Sequence, residues 1–162
     1  TAKGYERAEF WPGTAGEFQK RAGRSHPERW RQTSDGAFEA RSFDEWRPIV
    51  ADEPICHVSA YEAEAFCRFV GRRLPSAAEW ETAADQITWG HTVWEWTATT
   101  FAPYPGFRPG PYTTYSTPWF HNQREMRGGT FVTDALIHHR AYRNFFLPQR
   151  TDVFAGFRTA GS

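Results

Sequence analysis

Six histidines, two cysteines and a loop dense in tyrosine are the groups of this chain that could carry chemistry. The histidines are His26, His57, His91, His121, His138 and His139. No two are four residues apart on an expected helix and no His-Glu-x-x-His run occurs, so no helix face offers two imidazoles to a metal. His138 and His139 are adjacent, and on a strand they would point to opposite faces. No complete metal site is expected from this chain. Cys67 falls on the apolar face of an expected helix and reads as a buried structural thiol. Cys56 sits in Pro-Ile-Cys-His, where nothing local supports a reactive thiolate. Glu95, between Trp94 and Trp96, reads as a structural hydrogen-bond acceptor ahead of an acid or base. Tyr104, Tyr112 and Tyr115 lie among prolines and glycines that restrict the backbone. A phenol held this way can donate a proton; aromatic packing of a long loop is the equal alternative.

The elements that must position these groups are few. Ser59-Ala60-Tyr61-Glu62 is a capping box that opens a helix, with Ala63, Phe66, Cys67 and Val70 at helical spacing and Gly71 as its left-handed stop. A second capping box, Ser76 to Glu79, opens a shorter helix that buries Trp80, Ala83 and Ala84. Residues 1–50 read as irregular, broken by Trp11-Pro12-Gly13 and His26-Pro27, with a short strand near Phe38, Ala40 and Phe43. Residues 48–54 read as a connector. Trp89, Val93, Trp94 and Trp96 suggest short aromatic strands. Further strands are expected at 129–132, 141–143 and 155–158. Between them, 101–125 is a loop whose length implies function and whose aromatic content argues against disorder.

At 162 residues, 40% hydrophobic and 17% aromatic, the chain suits one loop-rich α+β domain. A formal net charge of 0 implies no nucleic-acid partner. No apolar stretch approaches the roughly 20 residues of a membrane span. The opening Thr1-Ala2-Lys3-Gly4-Tyr5 has no apolar signal region, and two cysteines make no disulfide framework, so the default compartment is cytoplasmic.

Five ordered motifs resemble the formylglycine-generating-enzyme superfamily. They are Pro54-Ile55-Cys56-His57-Val58-Ser59 through Ala65, Arg73-Leu74-Pro75-Ser76 through Glu81, Val93-Trp94-Glu95-Trp96-Thr97, Arg127-Gly128-Gly129-Thr130-Phe131, and Gly156-Phe157-Arg158. The resemblance implies a C-type-lectin-like α+β fold, loop-rich with short strands and about two helices. Within the superfamily, Tyr104 to Phe107, Pro111 to Ser116 and Tyr142-Arg143-Asn144-Phe145-Phe146 resemble the iron-dependent sulfoxide synthases of ergothioneine biosynthesis and the related selenoneine synthases. That branch pairs this domain with an N-terminal four-helix bundle carrying the iron-binding histidines, with the active site between the two. On that basis residues 1–162 are one such domain, N-terminally incomplete, and Fe(II) is expected from ligands outside it.

The resemblance assigns roles residue by residue. Tyr112 matches a catalytic tyrosine that delivers a proton during oxygen activation. Asn144 and Phe145 match the Asn-aromatic pair that holds a trimethylated histidine, with Arg143 and Phe146 flanking them in the substrate-binding segment. Phe146 stands where one subgroup has an Asp that helps bind γ-glutamylcysteine, a departure that favours another thiol or a selenium donor. The copper-binding cysteines of formylglycine generation are absent from 137–142, which argues against that activity. The expected function is the substrate-binding, catalytic half of an oxygenase that joins sulfur or selenium to a histidine-derived imidazole, using O2. The alternative is a non-catalytic lectin-like ligand-binding module.

Overall fold

The computed structural model describes residues 3–161; Thr1 and Ala2 of the expected leaderless opening, and the terminal Ser162, lie outside them. Two sheets and three α-helices make up the framework: α1 (Thr14–Ala22), α2 (Ala60–Phe69), α3 (Ala77–Ala83), an antiparallel sheet of β1 (Trp30–Gln32), β2 (Phe38–Ser42) and β3 (Glu45–Pro48), and a mixed sheet ordered β6-β5-β4-β7. In that second sheet β4 is Trp94–Thr100, β5 Arg124–Gly128, β6 Asn144–Phe146 and β7 Ala155–Phe157. The mixed α+β, loop-rich character is as expected from the motifs.

The capping boxes form as the sequence dictates. Ser59 Oγ accepts the Glu62 amide at 3.2 Å while Glu62 accepts the Ser59 amide at 2.7 Å, and Ser76 and Glu79 repeat the exchange. Glu79 also accepts two hydrogen bonds from Arg73, at 2.8 and 2.6 Å. Arg73 first, and the Ser76 amide second, hold its carboxyl at about 2, below the ordinary 4.5. A carboxyl whose folded-state pKa is depressed adds stability that is complete above the unfolded pKa and is lost as pH falls toward the folded one. Glu79→Gln is therefore expected to flatten the fall in melting temperature between pH 4.5 and about 2; parallel acid limbs in parent and variant would mean that this pair adds nothing to stability.

Several expectations are corrected. Among the described residues α1 stands beside the two helices with capping boxes. The first segment, as far as it is described (3–50), is not irregular: α1 follows Pro12-Gly13, with Gly13 as N-cap at φ 57°, and β1–β3 form a meander. Phe43 lies in the turn after β2, at φ 54°. The stretch 129–132 is no strand. Gly128 at φ 100° ends β5, and the Thr130 amide donates to Thr133 Oγ1 at 2.8 Å, turning the chain out. The strand expected at 141–143 is displaced to Asn144–Phe146. On α2 the buried stripe is Ala60, Ala63 and Cys67, whereas Phe66 and Val70 are exposed.

The core lies between α2 and one face of the mixed sheet, where Trp94, Trp96, Met126 and Ala155 pack against Ala60, Ala63, Cys67 and Leu74. Trp96 is fully buried and its indole N–H donates to Val58 O at 2.8 Å. On the opposite face Glu95, the acceptor anticipated from sequence, takes the Trp80 indole N–H at 2.8 Å and both a short and a 2.7 Å hydrogen bond from Arg158. At Gly156 a Cβ would stand 2.2 Å from the Ile55 carbonyl oxygen, so only glycine lets β7 and the connector before α2 pass this closely.

Candidate functional site

Arg143 to Phe146, four of the candidate residues, lie on or just before edge strand β6, where it meets the root of the long loop, whereas the contacts of Tyr112 run to Tyr115 within that loop. Register pairs Met126 with Asn144, Glu125 with Phe145 and Arg124 with Phe146. Alternation along the strand therefore sends Phe145 to the Glu125 face and both Asn144 and Phe146 to the Met126 face. Phe145 stacks on buried Phe101, with centroids 3.9 Å apart and planes 15° apart. Asn144 Oδ1 accepts the Phe145 amide at 2.9 Å, which fixes the side chain and leaves its NH2 to donate elsewhere. Phe146 packs against the core, with the Arg150 guanidinium 4.7 Å from its ring centre.

Arg143 ties these parts together. Its Nε donates to Glu125 Oε2 at 2.8 Å and its Nη2 to Ala102 O at 2.6 Å. Its guanidinium lies 4.5 Å from the Phe101 ring centre and 4.3 Å from that of Tyr104. The side chain expected to meet substrate thus also pins the start of the tyrosine loop to the sheet. Behind it runs a line of buried charge. Glu125 Oε1 approaches Arg127 Nε at 2.9 Å, close enough for an ion pair but too misaligned for a hydrogen bond, and Arg127 Nη1 reaches Glu81 at 3.1 Å and Arg140 O at 3.1 Å. Breaking a buried pair from one side typically costs about 3–5 kcal/mol, so Glu125 is the residue on which the geometry of Arg143 depends. Sequence reasoning missed it; the only available signal was charged residues flanking Met126 in a strand-length segment.

Tyr112 is well exposed, at 71%, with the Tyr115 ring 6.1 Å away. Tyr104 and Tyr115 are exposed as well. Tyr142 is half-buried against Trp94, and burial, with the Tyr115 phenol nearby, pushes its own phenol up. Tyr142 directly precedes the 143–146 segment, Tyr115 is near Tyr142, the Tyr112 ring is 6.1 Å from that of Tyr115, and Tyr104 sits on Arg143. Two surface clefts, of about 460 and 350 Å3, are lined neither by the loop tyrosines nor by residues 143–146.

The other candidates resolve physically. Burial pushes both the Cys56 and Cys67 thiols up to about 11, so neither is a thiolate at neutral pH. His138 stacks on Trp89 at 4.9 Å and its Nε2 lies 3.0 Å from Gly90 O. It and His139 lie in irregular backbone between two turns rather than on a strand, so the opposite-faces expectation does not apply. Among the described residues no three His, Cys, Asp or Glu side chains come together in a way that could hold a metal ion. The residues present do not fit the iron that the resemblance implies. No helix among the described residues is long and apolar enough to cross a membrane.

A mixed sheet covered by two capped helices, with long packed loops and a tyrosine-bearing loop pinned to its edge, defines a loop-rich domain of the formylglycine-generating type. Residues 2–92 match the sulfatase-modifying factor enzyme 1-like domain, and the chain belongs to that family. It is similar to the hercynine oxygenase of Mycobacterium tuberculosis, 32% identical over 97% of this chain and 47% of that protein. It is also similar to the hercynine oxygenases of Mycolicibacterium thermoresistibile (30%; 97% and 46%) and Mycolicibacterium smegmatis (28%; 97% and 48%). The chain thus spans about half the length of the curated relatives it matches.

Proposed function

We propose that this domain is the substrate-binding, catalytic half of an oxygenase that joins a thiol or selenol to the imidazole ring of a trimethylated histidine. The balance is R–SH + imidazole C–H + O2 → imidazole–S(=O)–R + H2O, with selenium in place of sulfur for a selenol. One S–H and one C–H bond break, one C–S bond forms, and O2 takes four electrons. The ligands of Fe(II) are assigned to a helical-bundle domain outside the described residues. In this reading Asn144 donates its amide N–H to the amino-acid end of the substrate, Phe146 shares its face of the strand, and Phe145, stacked on Phe101 across the strand, holds that segment in place. Tyr112 donates a proton from its exposed phenol.

The observation that carries the reading is the convergence of two distant segments. Arg143, Glu125 and the Phe101–Phe145 stack hold the root of the tyrosine loop against the strand bearing Asn144. Similarity to proteins named hercynine oxygenase supports the imidazole substrate. Phe146, an apolar ring already engaged by Arg150, supports a donor other than γ-glutamylcysteine.

The test is an assay of the full-length protein with Fe(II), O2, the trimethylated histidine and a panel of thiol and selenol donors, read by mass spectrometry. The expected product is an imidazole adduct with one donor strongly preferred. Asn144→Ala is expected to raise KM for the imidazole substrate about tenfold or more, as loss of a hydrogen bond to a charged group would. Absence of any adduct with every donor would leave the domain as a ligand-binding module.

A further inference from the structure

The 460 Å3 cleft lies away from the tyrosine loop and independently of the reading above. It opens between the β2–β3 hairpin and the segment that joins β6 to β7, and its walls include Glu28, Arg29, Arg41, Phe43, Trp46 and Asp152. Its volume is within the range of about 300–1,000 Å3 usual for small-molecule sites.

The charges in its walls are unevenly satisfied. Glu28 is engaged by Arg24 at 3.0 Å and by the Thr151 hydroxyl. Asp152 accepts from Arg150 Nε at 2.7 Å and from the same guanidinium's Nη2. Both carboxylates are thus neutralised by arginines outside the lining. Arg29 and Arg41 have no carboxylate within ion-pair distance among the described residues. Arg41 donates its Nε to Phe43 O at 3.0 Å and its guanidinium lies 5.9 Å from the Trp46 ring centre, which leaves both Nη groups without a hydrogen-bond acceptor among the described residues. Half-buried Arg29 acts on Asp152 only through space, well behind Arg150. Arg31, whose guanidinium lies 4.5 Å from the Trp46 ring centre, is already paired with Glu39 at 2.6 Å and adds no surplus. Two guanidinium forks with no carboxylate partner among the described residues therefore line one recess. The recess also has an apolar side: the Trp46 ring, and a Phe43 ring braced against Phe131 and Phe154 at 6.4 and 6.0 Å.

We propose that this cleft binds a small molecule carrying a carboxylate or phosphate group, gripped by Arg29 and Arg41, with its apolar part against Trp46 and Phe43. Guanidinium forks match the planar oxygens of both groups, and charge-assisted pairs of this kind are among the stronger hydrogen bonds in proteins.

The probes are inorganic phosphate and succinate, titrated at matched ionic strength against sodium chloride into the intact protein labelled with 5-fluorotryptophan. The Trp46 fluorine resonance, assigned from Trp46→Phe, is expected to shift saturably with one or both oxyanions and not with chloride. Preference for phosphate points to a phosphorylated ligand, and preference for succinate to a carboxylated one. Arg29→Gln and Arg41→Gln are each expected to weaken binding about tenfold or more. Lys20→Gln, an equal loss of charge on α1, is expected to titrate like the parent. Because Arg41 is exposed, Arg41→Gln keeps the test decisive if Arg29→Gln disturbs folding. A linear shift, an equal response to chloride, or Arg41→Gln titrating like the parent would overturn the proposal.

Discussion

Tyr112→Phe, made in the full-length protein, is expected to slow coupling of the donor to the imidazole by roughly 10²–10⁴-fold, the range associated with general acid catalysis. The substitution removes one oxygen and leaves the ring. At 71% exposure Tyr112 supports no packing that the change would disturb, and its nearest ring partner, Tyr115, is 6.1 Å away. Binding of the imidazole substrate is therefore expected to stay close to that of the parent, which separates a proton-transfer defect from a folding or affinity defect. A second signature is diversion, in which O2 is consumed in oxidising the donor without joining it to the ring. Product and oxidised donor are followed together by mass spectrometry. Tyr104→Phe and Tyr115→Phe are the controls: Tyr104 lies against Arg143, and Tyr115 lies near Tyr142. If Tyr112→Phe leaves both coupling rate and product ratio unchanged, Tyr112 has no part in the reaction. A large loss at Tyr104 or Tyr115 instead would reassign the proton to that residue.

The second large effect is on stability. Trp96→Ala is expected to cost about 3–5 kcal/mol, the usual range for truncating a buried ring. That is a large part of the 5–15 kcal/mol that keeps a domain folded. Trp96 is fully buried among Ala60, Ala63, Met126 and Ala155, and α2 and β7 close over it. The truncation also strands the Val58 carbonyl that the indole satisfies at 2.8 Å. For a domain of this size the melting temperature should fall by about 6–20 °C. Trp94→Ala, 8% exposed and packed partly on Tyr142, should cost less. Trp96→Phe keeps most of the ring but not the N–H, and isolates the hydrogen-bond share. Denaturant unfolding is the measurement, and unchanged midpoints for both alanine variants would place these rings outside the core.

What was legible in the sequence is what is encoded locally. The two helices with capping boxes could be read because Ser59 and Glu62, and Ser76 and Glu79, satisfy each other's backbone amides within one turn. Helix α1 was not, because it begins at a glycine with no side-chain cap, directly after a proline that reads as a breaker. The stretch 129–132 failed for the opposite reason. Gly-Thr-Phe-Val has strand composition, but the Thr130–Thr133 hydrogen bonds turn it outward and leave Phe131 and Val132 exposed. The site was half legible. The tyrosine loop and the 143–146 segment stood out by composition and by resemblance. That Arg143 is sandwiched between Phe101 and Tyr104, and that Glu125 holds it, depends on segments brought together only by folding.

The mixed sheet also has a consequence for how the chain is made. Central strand β4 is flanked by β5 and, in parallel, by β7, so that Trp94 pairs with Ala155 and Trp96 with Phe157. Ala155 is itself part of the core that buries Trp96. During synthesis from the N-terminus, α2, α3 and β4 leave the ribosome well before the strand that covers β4's free edge. Parallel pairing of such distant segments is slow, and an open strand edge beside bare aromatic surface invites association between chains. A nascent chain stalled anywhere before Ala155 would expose Trp94 and Trp96 along that edge. Yield of this protein in cells should therefore respond more to chaperone supply and to the pace of translation between β4 and β7 than to changes in the helices.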